Sequence, residues 1–152
     1  MRRDAHDIKI FQESELVFDE EQLENGLGNL LGGHYYRDNF INSLNEFCNY
    51  LEKQKNQYLN QNLSIVTKEL LSSFRELKYF LAYNFFDHPP NQQRENIRYC
   101  LYPDLCIDRG GSGSPDDMSL YDTHVKNLNS IANKSWESFV KYRQEIKLNL
   151  LI

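Results

Sequence analysis

No apolar run in the sequence approaches the roughly 18 to 20 residues that a membrane-crossing helix needs. Two arginines near the start, in Met1-Arg2-Arg3-Asp4-Ala5-His6-Asp7, have no apolar segment behind them, so no secretory signal is read there. Cysteine is sparse: Cys48, Cys100 and Cys106 are odd in number and lack C-x-x-C spacing. That argues against a disulfide framework and makes a cytoplasmic location the expectation, with a single Cys100–Cys106 bridge left open. One Trp and two Met stand against ten Tyr and nine Phe, so a core of rings and leucines is expected.

The usual catalytic signatures are missing too. His6, His34, His88 and His124 are not paired at metal spacing, and neither H-E-x-x-H nor a helical Glu-x-x-His motif occurs. The glycine-rich stretch Gly110-Gly111-Ser112-Gly113-Ser114 is not followed by the lysine of a phosphate loop, and there is no G-x-S-x-G. Helical-bundle ribonucleases of the HEPN family carry an Arg and a His with four to six residues between them. No Arg here has that spacing, so the closest reading of that kind is a catalytically degenerate HEPN-like bundle. The sequence therefore predicts no catalytic residue, no cofactor, no metal, no membrane partner and no small-molecule substrate.

Basic charge is scarce where it would matter for nucleic acid. The net charge is -5, and residues 1–38 account for it with four basic and nine acidic side chains. A neutral body with an acidic start is a poor general binder of phosphate backbones.

What is present is helical periodicity. Residues 1–18 are read as an N-terminal arm, extended or forming one edge strand, from Ile8-Lys9-Ile10 and Leu16-Val17-Phe18. The remainder, 19–152, is read as one helical-bundle domain. Asp19 caps a helix whose first turn is acidic, with Leu23, Leu27, Leu30 and Leu31 on one face; Gly26 and Gly28 weaken it by about 1 kcal/mol each, and Gly32-Gly33 end it.

From Arg37 to Leu59, Phe40, Leu44, Phe47, Cys48, Leu51 and Tyr58 form an apolar face. Beyond the polar hinge Asn60-Gln61-Asn62, Val66, Leu70, Phe74, Leu77, Leu81 and Phe85 form another, as far as His88-Pro89-Pro90. These two helices, near 37–59 and 63–87, predict an antiparallel hairpin. Asn91 is read as the cap of a short helix through Leu101. The loop 103–117 follows, and then a long helix over 116–149 announced by Ser114-Pro115-Asp116-Asp117. The fold class is thus all-α: a bundle of four or five helices with a long C-terminal helix.

Two surfaces suggest binding. The first is the acidic, apolar stretch containing Leu16, Phe18, Glu20 and Glu21, together with tyrosines outside the main stripes: Tyr35, Tyr36, Tyr79, Tyr83, Tyr99 and Tyr142. Tyrosine suits interfaces because it combines apolar bulk with one hydrogen bond. The second is the outer face of the last helix, where Lys126, Lys134 and Lys141 line up near Arg143 and Lys147. A smaller possibility is a binding loop built on Asp104, Asp108 and Arg109.

Long aromatic-rich helices joined by Pro and Gly breaks resemble the small accessory proteins of bacterial defence and CRISPR loci. The leading expectation is a noncatalytic interaction module, an accessory subunit or a homodimer. The alternative is a helical subunit of an RNA-containing complex that touches RNA through the last helix.

Overall fold

The computed structural model describes residues 2–152, with side chains from Asp4 onward. Five helices form the frame: α1 (Arg2–Val17), α2 (Glu20–Gly33), α3 (Asp38–Glu52), α4 (Gln61–Asn84) and α5 (Pro115–Leu150). Three short strands, β1 (Tyr35–Arg37), β2 (Phe85–Asp87) and β3 (Arg98–Leu101), make a small antiparallel sheet in the order β1-β3-β2. The all-α bundle with a long last helix is therefore the architecture, with a sheet at one end that the periodicity does not announce.

The helix starts follow from local chemistry. Asp19 accepts from the Gln22 backbone while the Gln22 side chain accepts from the Asp19 N–H, a reciprocal capping box. Asn60 accepts from Leu63 N–H to begin α4, and Ser114 accepts from Asp117 N–H to begin α5, with Pro115 in the first turn.

α4 is the spine. Its stripe of Leu63, Val66, Leu70, Phe74, Leu77 and Leu81 is buried, and its partner over most of its length is α5. The pairs Lys134–Glu76, Ser138–Ser73, Lys141–Glu69 and Asn149–Asn62 run in opposite numerical directions, so α4 and α5 are antiparallel. At about 1.5 Å per residue, the 36 residues of α5 span about 54 Å, which lets it lie along the whole of α4. α3 also packs on α4, as the sequence predicts, through Phe47 and Phe74 with ring centroids 5.9 Å apart.

Two expectations are overturned. Residues 1–18 are not an extended arm or an edge strand: nearly all of them form α1, which lies on α3 and α5. Its inward face is Asp7, Ile10, Phe11 and Ser14, with Phe18 just beyond the last turn. Two of these five are polar, which disguises the helical period. Both are satisfied: Asp7 accepts from the N–H groups of Leu59 and Asn60 at 2.8 and 2.9 Å, and Ser14 donates to Phe11 O at 2.7 Å.

The second concerns 91–101, read as a short helix. Its last four residues are β3, paired with β1 through Tyr36↔Tyr99 and with β2 through Phe86↔Cys100. Ahead of it, the Gln92 side chain donates to Arg98 O and accepts from Arg98 N, copying a neighbouring strand. Asn96, at φ 48°, breaks any helical path.

Element limits also shift. α3 ends at Glu52, before a single tight turn over Gln54–Asn56, and α4 gives way to β2 at Phe85. The three cysteines are free and buried, so the Cys100–Cys106 bridge is not formed.

Gly26 is more than a weak point in α2. It is buried beneath the Phe40 ring, and a Cβ there would fall inside that ring. The missing side chain is what lets the start of α3 close against α2.

Candidate functional site

The acidic N-terminal stretch divides on folding. Leu16 is 87% exposed and Glu20 and Glu21 sit in the exposed first turn of α2, whereas Phe18 is 1% exposed in the aromatic centre of the bundle. The tyrosines divide as well. Tyr142 is buried with its hydroxyl 2.6 Å from that of Tyr58, and burial pushes it up to about 12. Tyr36 is buried against Tyr99 and Phe85, with ring centroids 5.1 and 5.3 Å away. Tyr35 and Tyr99 are half-buried in the sheet. Phe18 and Tyr142 are thus core residues, a correction to the sequence expectation that they face a partner, whereas Tyr36, though packed among rings, lines a surface groove. Apolar bulk without an obvious stripe is what misleads.

The basic residues of α5 are also partly committed. Lys134 and Lys141 form ion pairs with Glu76 and Glu69 of α4 at 2.9 and 3.1 Å. Arg143 is drawn inward, paired with Glu15 of α1 and set 5.0 Å from the Phe11 ring centroid, and desolvation lowers its pKa. Lys126 and Lys147 are exposed.

What the surface does offer is a groove of about 450 Å³ between α3 and α4. Tyr36 and Leu81 form apolar floor, Arg75 and Lys78 stand on one wall, and Glu52 faces Arg75 at 3.7 Å. The rim is aromatic. Tyr79 and Tyr83, one turn apart on α4, stack at 6.4 Å with planes 16° apart. They are 59% and 72% exposed.

Burial, with Tyr99 and Asp38 close by, pushes the Tyr36 hydroxyl in the groove floor up to about 12, so it stays neutral near pH 7. Two cations against one carboxylate leave the lining with one net positive charge.

Among the described residues, no group of three or more His, Cys, Asp or Glu is placed to hold a metal ion, and no helix is long and apolar enough to cross a membrane. Sequence reading singled out Tyr79 and Tyr83 as tyrosines off the main stripe. It missed Arg75 and Lys78, whose signal was only their place on the polar side of α4. No family model, no curated protein and no solved structure matches this chain.

Proposed function

We propose that this chain is a noncatalytic helical interaction module, an accessory subunit that receives a protein partner in the α3–α4 groove and on the Tyr79–Tyr83 ridge. The observation that carries this reading is the stacked, exposed pair Tyr79 and Tyr83 beside an apolar-floored groove. Aromatic side chains held in place by each other contribute contact area at little entropic cost, and contiguous exposed apolar surface marks interaction sites. The partner that fits is a segment presenting an apolar side chain to Tyr36 and Leu81 and a carboxylate to Arg75 and Lys78. A cytoplasmic assembly of the bacterial-defence kind is the setting in keeping with the sequence resemblance.

The test is retention of a stoichiometric protein partner by the tagged chain from its host, with ribonuclease present, compared between the native chain and Tyr79→Ala/Tyr83→Ala. Hot-spot aromatics cost about 2 kcal/mol or more on truncation, so retention should fall well over tenfold while the melting temperature barely moves. Full retention by the double variant overturns the reading. The RNA alternative has less support, because RNA along α5 would have to displace Glu76 and Glu69 from Lys134 and Lys141. Retention lost with ribonuclease, and abolished by charge reversal at those two lysines, would favour it instead.

A further inference from the structure

A second concavity lies at the opposite end of α2 from its capping box, where five chain segments converge. It is a polar cleft of about 460 Å³ lined by His34, His88, Arg98, Asp108, Arg109 and Tyr121. That volume falls within the range of small-molecule sites, about 300 to 1,000 Å³.

His34 terminates α2 in the left-handed region at φ 53°, a place usually taken by glycine or asparagine. The histidine is held there at a backbone cost of roughly 1 kcal/mol or more. Its Nδ1 lies 2.7 Å from the Tyr121 hydroxyl, and among the described residues Nε2 has no protein hydrogen bond.

The two guanidinium groups are fixed without being neutralised. Arg109 donates to Gly33 O at 2.8 Å and reaches Cys106 Sγ at 3.9 Å. Arg98 donates from Nε to His88 O at 3.0 Å and lies 5.9 Å from the Tyr35 ring centroid. Among the described residues neither has a carboxylate within ion-pair distance. Asp108, which shares the cleft, is exposed and pairs with neither. Each guanidinium carries five N–H donors in a rigid fork, and most of them remain unspent.

The C-terminal end of a helix ordinarily repels anions. Here that end is partly covered. The His34 N–H donates to Leu30 O, Arg109 covers Gly33 O, and Leu101 N–H donates to His34 O. Burial, and after it the nearby Arg109, lower the His34 pKa.

We infer that this cleft binds a phosphate-type oxyanion carried by a small organic molecule, gripped by Arg98 and Arg109 with His34 as a third donor. Donors from three separate elements suit a group with three peripheral oxygens better than a planar carboxylate with two. The remaining cleft volume takes the organic part. This site is separate from the α3–α4 groove and stands whether or not that surface docks a protein.

The experiment is a side-chain NMR titration of the full chain with inorganic phosphate, against sodium chloride at matched ionic strength, and then with adenosine monophosphate and adenosine. Phosphate should move the His34 resonances saturably and raise its pKa, because the anion offsets the Arg109 charge. Arg98→Gln and Arg109→Gln should each weaken phosphate about tenfold or more. Arg98 does not cap α2, so its variant separates lost binding from lost folding. A response no larger than that to chloride, or full affinity in Arg98→Gln, overturns the site. Tighter binding of adenosine monophosphate than of phosphate, with adenosine silent, assigns an anion on an organic carrier; the reverse order overturns that assignment.

Discussion

Replacing Phe18 by alanine puts the docking of α1 to a direct test. Phe18 closes the corner between α1 and α2 and meets three rings, Phe47, Phe40 and Phe74, at centroid distances of 5.7, 6.0 and 6.4 Å. Those rings come from α3 and α4, so the truncation opens a void shared by four helices, which cannot collapse by moving one of them. Phe→Ala at such sites costs about 3 to 5 kcal/mol, against a total stability of about 5 to 15 kcal/mol for a domain. With a urea slope near 2 kcal/mol/M, the unfolding midpoint should fall by about 2 M.

Leu16→Ala is the matched control. Leu16 lies two residues away but is 87% exposed, so its loss should register within about 0.5 kcal/mol. The assay is equilibrium unfolding followed by helical circular dichroism and by Trp136 fluorescence. A loss below about 1.5 kcal/mol for Phe18→Ala, or equal losses for the two variants, would refute the placement of Phe18 in the core.

Three further expectations follow from particular contacts. Tyr142→Phe removes one partner of the buried 2.6 Å hydroxyl pair while Tyr58 keeps Ser14, so stability should drop by about 0.5 to 1.5 kcal/mol in the same unfolding assay. Gly26→Ala and Gly28→Ala, two residues apart in α2, should have opposite signs. The first forces a methyl into Phe40 and costs about 1 to 3 kcal/mol, whereas the second meets nothing within 4 Å and adds about 0.5 to 1 kcal/mol of stability. His34 has its pKa lowered in the fold, so the unfolded chain takes up more protons as pH falls below about 6.5 and stability decreases there. His34→Gln should flatten the decline in melting temperature over that interval; an unchanged slope would show that the imidazole is not responsible.

The frame was legible where hydrophobic period and capping agree. Asp19 and Ser114-Pro115 begin helices as their side chains dictate, and the stripes of α3 and α4 lie on buried faces. α1 was illegible because its inward face includes Asp7 and Ser14, whose burial is stabilised by partners that periodicity does not register. β3 was illegible because a four-residue strand is specified by its neighbours, and Tyr35–Arg37 lies more than sixty positions away in sequence.

Candidate sites were legible in fragments. Tyr79 and Tyr83 stood out by being off the stripe, and Arg109 and Asp108 by lying in an irregular loop. Arg98, His88 and His34 acquired meaning only when the sheet brought them beside that loop.

The antiparallel seating of α5 along α4 has a consequence for how the molecule is made. The buried stripe of α4 is finished about thirty residues before α5 begins, so the surface that covers it is made only afterwards. At about 5 to 20 residues per second, translating the 36 residues of α5 takes roughly 2 to 7 seconds. For that interval the nascent chain carries a row of leucines still waiting for α5, and α1, which also leans on α5, has only part of its seat. Birth is therefore the stage at which this chain is most exposed to aggregation and to chaperone capture.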